Sequence, residues 1–151
     1  MYISDIMTKD VISVRETDTV GMCADLLIEH NLSGMPVLDD LGRVVGMVTE
    51  GDLIRRASKV KGPAALEVLG GIFYLESPKE FSRQIKKTMG SIASEIMTKD
   101  VYTIDSDKEV EEAASILVEK RVKRLPVVNR EGSVIGIISR RDILKYLFEK
   151  Y

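Results

Sequence analysis

Apolar residues recur along this chain at two spacings, and each spacing predicts a kind of element. Val20, Cys23, Ala24, Leu27 and Ile28 fall three and four apart, the stripe of a helix with one buried face. Val110, Ala113, Ala114, Leu117 and Val118 repeat it. Asn31 offers the first of these helices a left-handed stop, and Ser106 with Glu109 predicts a capping box ahead of the second. Runs rich in β-branched residues predict strands over 11–14, 35–38 and 44–49, and again over 101–104, 125–128 and 134–139. Asp39-Asp40-Leu41-Gly42 and Asn129-Arg130-Glu131-Gly132 separate the last two strands of each set with turn residues. A further helix closes each set, over 51–57 and 141–149.

The order β-α-β-β-α therefore occurs twice, and the two copies match in detail. Ser4-Asp5-Ile6-Met7-Thr8-Lys9-Asp10-Val11 matches Ser94-Glu95-Ile96-Met97-Thr98-Lys99-Asp100-Val101 at every position but the second. The same offset of 90 then links Val20 to Val110, Pro36 to Pro126, Gly46 to Gly136 and Asp52 to Asp142. Two copies predict a local two-fold rather than a solenoid, which needs about three or more repeats. A mixed α/β (α+β) unit of about 55 residues is marginal alone, so the two units should pack on each other. The expected organisation is a first unit over 1–57, a connecting segment over 58–93 and a second unit over 94–151. Within the connecting segment, Ser77-Pro78-Lys79-Glu80 starts a helix whose stripe is Phe81, Ile85 and Met89 and whose stop is Gly90. The apolar run over 68–75 either packs over the repeats or offers a surface to a second subunit.

Composition narrows the function. A hydrophobic content of 44% in 151 residues suffices for a core. A net charge of −2 argues against broad nucleic-acid affinity, which needs a basic face. No apolar run approaches the roughly 20 residues of a membrane span, and the opening Met1-Tyr2-Ile3-Ser4-Asp5 lacks the features of a signal peptide. The lone Cys23 predicts a reducing, cytoplasmic setting without an internal disulfide or a cysteine-based metal site. Cys23 and the single His30 lie seven apart in a helical pattern, where a structural role suits both better than a nucleophile–base pair. Nothing else suggests catalysis, so the chain is expected not to be an enzyme and to need no cofactor or metal.

The candidate chemistry sits where each third strand meets the closing helix. Thr49 precedes Asp52 by three residues, and Ser139 precedes Asp142 by three. Such a pair can cap a helix. It can also present a hydroxyl and a carboxylate to a ligand at a helix N-terminus that already favours anions. The repeats differ most in charge just before the proline. Lys123 and Arg124 precede Leu125-Pro126, where the first unit has Ser33 and Gly34 before Met35-Pro36, and Arg141 stands where the first unit has Gly51.

Taken together, Ile6-Met7-Thr8, the helix with Ala24, Met35-Pro36-Val37, Gly42 and the run from Gly46 to Asp52, each with its twin, resemble the cystathionine-beta-synthase (CBS) domain. The tandem resembles a Bateman module. The resemblance implies two units packed through their sheets about a pseudo-two-fold, with two clefts that take adenosine-containing ligands such as AMP, ADP, ATP or S-adenosylmethionine. It places ribose-binding carboxylates at Asp52 and Asp142 and phosphate-facing hydroxyls at Thr49 and Ser139. It places the base against Val101 and Tyr102 in the Asp52 cleft and against Val11 and Ile12 in the Asp142 cleft. Lys123, Arg124 and Arg141 are expected to reach phosphate in the Asp52 cleft, with Met35, Pro36 and Pro126, and also Met7 and Met97, on the walls. The implied function is regulation of a partner protein by a homodimeric module. The alternative is a dimerisation scaffold that binds no ligand and uses both hydroxyl–aspartate pairs only as caps.

Overall fold

Each repeat builds a three-stranded sheet, and a proline decides where its first strand begins. The structure, a computed structural model, describes residues 1–58, 65–68, 71–74, 79 and 90–149. In the first unit β1 (Val14–Arg15), β2 (Gly34–Leu38) and β3 (Val44–Thr49) lie in that order, with α2 (Val20–Glu29) after β1 and α3 (Glu50–Ser58) after β3. A short helix α1 (Ile3–Ile6) precedes them. In the second unit α4 (Ala93–Ile96), β6 (Ile104–Asp105), α5 (Val110–Glu119), β7 (Arg124–Val128), β8 (Val134–Ser139) and α6 (Arg140–Phe148) repeat the arrangement. The first strand of each set pairs parallel with the second, Val14 opposite Val37 and Ile104 opposite Val127, while the second and third pair antiparallel.

Those first strands are shorter than the expected 11–14 and 101–104. The residue before Val37 is Pro36, and the one before Val127 is Pro126, and neither has an N–H for the ladder. Pairing therefore starts just beyond each proline. Val11, Ile12, Val101 and Tyr102 are left outside the sheets.

Between the units, 65–68 (β4) and 71–74 (β5) pair antiparallel. The sequence pattern did not predict this hairpin. The helix expected from Ser77 to Met89 lies, but for Lys79, outside the described residues.

The helices follow the expected stripes with two corrections. Val20, Cys23 and Leu27 are buried, as are Val110, Ala113 and Leu117, but Ile28 is 80% exposed and Val118 73%. The outer edge of each stripe faces away from this chain. Thr19 caps α2, its hydroxyl accepting from the Met22 N–H at 3.1 Å. The expected box at Ser106 and Glu109 does not form. Helix α5 starts at Val110 with no side-chain cap, and the Ser106 carbonyl accepts instead from the Ser4 N–H at 3.0 Å. Asn31 does provide the left-handed stop, at φ 51°, and its twin Arg121 does so at φ 54°.

Each opening helix belongs to the other unit's core. Ile3 is fully buried among Ile104, Leu125, Ile138 and Ile143, while Ala93 is buried among Val14, Val37 and Val48. Backbone bonds secure the exchange: Thr8 pairs with Ile137 on one side and Thr98 with Met47 on the other. Met97 lies so close to Gly46 that a Cβ there would come within 2.5 Å of its sulfur, and Met7 lies against Gly136 in the same way. Arg43 pairs with Ser133 where the two β-turns meet. The two sheets are thus joined about a pseudo-two-fold, with a cleft on either side.

Candidate functional site

Each cleft is framed by the start of a closing helix from one unit and by the unpaired residues before the first strand of the other. Thr49, Val101, Tyr102, Lys123 and Arg124 line a cavity of about 390 Å³. Ser139, Asp142, Val11, Ile12 and Arg141 line a second, of about 450 Å³, together with the same Lys123 and Arg124. Both volumes lie in the range of about 300–1,000 Å³ typical of small-molecule pockets.

The apolar walls follow from the prolines. Val11 and Ile12, freed from the ladder, face the Asp142 cleft, and Val101 and Tyr102 face the Asp52 cleft, where Ile54 adds a further apolar side chain. The Lys120 ammonium stands 5.5 Å from the centre of the Tyr102 ring. Met35, Pro36 and Pro126 line neither cleft. They are fully buried, because they lie on the central strand of each sheet under the helices. Met7 and Met97 pack against the two glycines at the crossing of the chains.

Both hydroxyl–aspartate pairs form reciprocal caps. Asp52 Oδ2 accepts from the Thr49 N–H at 2.9 Å and from its hydroxyl at 3.0 Å, and the Asp52 N–H donates back to Thr49 Oγ1 at 3.2 Å. Asp142 Oδ2 accepts from the Ser139 N–H at 2.8 Å and from its hydroxyl at 2.9 Å, with the return bond at 3.2 Å. The two carboxylates differ in their second oxygen. Asp52 Oδ1 is engaged by the Arg55 guanidinium and, at 3.4 Å, by the Thr98 hydroxyl. Asp52 is buried and does not line its cavity, whereas Asp142 lines its own.

The cations are distributed differently from the sequence expectation. Arg124 reaches across to the first unit and donates to Ser33 Oγ. Ser33, Lys123 and Arg124 line both cavities, so the clefts meet at one basic seam. Burial pulls the Arg124 guanidinium below its ordinary value, and the nearby Glu50 carboxylate partly restores it. Glu50 also lies 3.9 Å from the Lys123 ammonium. Arg141 lines the Asp142 cleft, not the Asp52 cleft, because it projects from the first turn of α6 beside Ser139. Arg140 lines the Asp142 cleft too, but its guanidinium donates to the Val122 and Leu117 carbonyls at 3.0 and 3.4 Å. Arg121 lines the Asp52 cleft as well, so three cationic residues stand there against four at the Asp142 cleft, and the expected excess at the Asp52 cleft is not found.

Sequence reasoning missed Arg55, Ser33 and the pair Thr8 and Thr98. Arg55 carried a signal, since a residue three after Asp52 on a helix shares its face. Thr8 and Thr98 stand in the most closely matched stretch of the repeat, but nothing local showed that each enters the cleft of the other unit.

Comparison with known proteins agrees with this architecture. The CBS domain model matches residues 3–59 and 93–149, and the chain belongs to the CBS domain family. Among relatives it is 29% identical to an uncharacterised protein of Methanocaldococcus jannaschii, MJ1426, over 97% of this chain and 91% of that one. It is 31% identical to the chloroplastic CBS domain-containing protein CBSX1 of Arabidopsis thaliana, over 95% of this chain and 62% of that one. It is also 33% identical to the inosine-5'-monophosphate dehydrogenase of M. jannaschii, covering 93% of this chain but spanning only 22% of the enzyme. Among solved structures, CBSX2 in complex with AMP superposes with a TM-score of 0.74 at 26% identity, covering 99% of this chain and 97% of that one. The CBS domain pair of MJ0100, in complex with 5'-methylthioadenosine and S-adenosyl-L-methionine, superposes with a TM-score of 0.73 at 23% identity, covering 97% and 99%.

Proposed function

We propose that the protein is a regulatory module whose two clefts bind an adenosine-containing nucleotide, and that their occupancy controls a protein or domain coupled to it. The observation that carries this reading is the Asp142 cleft. There a capped helix start, a carboxylate with an uncommitted oxygen, the cations Lys123, Arg124 and Arg141, and the apolar Val11 and Ile12 surround one cavity. A carboxylate oxygen can accept from ribose hydroxyls, the helix start and arginines suit phosphate, and the apolar residues suit the flat face of a base. The AMP complex of CBSX2, a structure of the same fold, supports this assignment. The function is sensing rather than catalysis, in a reducing, cytoplasmic setting. A thermal-shift panel of adenosine, AMP, ADP, ATP and S-adenosylmethionine tests it. Binding to the folded state alone raises stability by about 2.7 kcal/mol at a hundredfold excess over Kd. No shift with any of them at millimolar concentration contradicts it.

The module is also proposed to act as a homodimer. Ile28, Val118 and Phe148 are exposed on the helical faces, along with Leu144 and Leu147, and a second copy would bury them. Sedimentation equilibrium should give twice the chain mass at micromolar concentration, and a monomer there overturns the dimer. A scaffold that binds no nucleotide has one observation in its favour: both hydroxyl–aspartate pairs already satisfy each other as caps. The same thermal-shift panel separates the two readings.

A further inference from the structure

The two clefts share a hydroxyl–aspartate pair but not its availability. Asp52 has both oxygens in use, Oδ2 in the cap and Oδ1 with Arg55 and Thr98, and its side chain is only 5% exposed. Asp142 uses Oδ2 in its cap, and among the described residues Oδ1 has no protein partner. The position matching Arg55 in α6 is Lys145, which forms no ion pair with Asp142. A glycine in the first turn of α3 leaves room for the contact. The Arg55 guanidinium folds back over the first turn of α3 beside Gly51, where a Cβ would stand 3.2 Å from Nη1. In the second unit that position is Arg141, which lines the cleft.

We propose that Arg55 is a latch on the Asp52 carboxylate, so that the Asp142 cleft fills first and the Asp52 cleft fills only when the guanidinium lets go. This rests on the reading of the clefts as adenosine sites. A ribose hydroxyl arriving at Asp52 must displace a charged donor, the Arg55 guanidinium, which meets Oδ1 through one nitrogen. At Asp142 it meets an oxygen without a protein partner. The latch is weak enough to open, because the Arg55 side chain is 68% exposed and water can take over its charge. The consequence is graded sensing, in which a low ligand level occupies one cleft and a high level occupies both.

Calorimetric titration with adenosine tests this, because adenosine carries no phosphate for the guanidinium to attract. The variants are Asp142→Ala, which isolates the Asp52 cleft, and Arg55→Met, which keeps the alkyl chain and removes the charge, alone and combined. Their melting temperatures establish that each is folded. Wild type is expected to show one tighter and one weaker site, with Asp142→Ala losing the tighter. Adding Arg55→Met to Asp142→Ala should tighten the remaining site by about tenfold, the effect of a charge-assisted hydrogen bond reduced by exposure. Two equal sites in wild type, or no change on adding Arg55→Met, overturns the latch and leaves the clefts as adenosine sites. No binding of adenosine or AMP to any of these proteins overturns both.

Discussion

Ser139 and Asp142 hold each other in place: the Ser139 N–H donates to Asp142 Oδ2 at 2.8 Å, and the Asp142 N–H donates to Ser139 Oγ at 3.2 Å. One oxygen of the carboxylate stabilises the helix, and among the described residues the other has no protein partner. Capping and binding are therefore compatible uses of the same residues. Ser139→Ala removes the hydroxyl half of the cap and should lower stability by about 1 kcal/mol in urea denaturation. Asp142→Ala should cost a similar amount and, in addition, weaken nucleotide binding at that cleft by about 1.5–3 kcal/mol, the range for hydrogen bonds to a charged group.

The exchange of opening helices makes a prediction about where damage spreads. Ile3 is fully buried in the core built by β6, β7, β8 and α6. Ile3→Ala should destabilise the protein by about 2–5 kcal/mol, measured by chemical denaturation. Amide hydrogen exchange should quicken first in Arg124–Val128 and Val134–Ser139, not in Gly34–Leu38 and Val44–Thr49. Faster exchange confined to the first repeat would contradict the exchange of helices.

How much of this was legible depended on the range of each interaction. The order of elements within each repeat and the three-residue spacing of both hydroxyl–aspartate pairs are local features, and the sequence pattern placed them. The β-turns were legible too, since Gly42 and Gly132 take positive φ of 76° and 83° as expected. What failed involved distant partners. Ser106 looked like a cap, but its carbonyl is taken by Ser4 from the far end of the chain. Met35, Pro36 and Pro126 looked like cleft walls, and apolar residues at a strand start carry no sign of which way they face. The direction of Arg141 depended on the first turn of α6. The fold of Arg55 onto Asp52 depended on a side-chain rotamer and on the space left by Gly51.

The first β-turn predicts a small acid-sensitive contribution to stability. The Arg43 N–H above all, with the Leu41 N–H and the Arg43 side chain, holds the Asp39 carboxyl below its ordinary 3.8, against an opposing effect of desolvation. Because the folded value is depressed, the contribution is present above pH 3.8 and is lost as pH falls through the lower folded value. In the second unit Asn129 accepts the matching bonds from Glu131 and Ser133 without a charge. Asp39→Asn should therefore fold normally at neutral pH and show a flatter stability curve below pH 4 in acid titration followed by circular dichroism.

Cys23 gives an alkaline counterpart. Burial, with a smaller effect from the Asp18 charge, pushes its thiol up to about 11. The neutral thiol is favoured in the folded state, so stability should decline as pH rises through the ordinary 9.0 towards about 11. A thiol reagent at pH 8 should modify the native protein only as fast as it opens, and denaturant should accelerate the reaction to the rate of a free cysteine. Rapid modification of the native protein would contradict the burial.

A crystal structure of the protein grown with saturating AMP shows directly whether the clefts hold the nucleotide. AMP is expected in the Asp142 cleft, with a ribose hydroxyl on Asp142 Oδ1, the base against Val11 and Ile12, and the phosphate near Arg124 and Arg141. AMP bound outside both clefts, or both clefts empty at saturating AMP, would contradict this expectation.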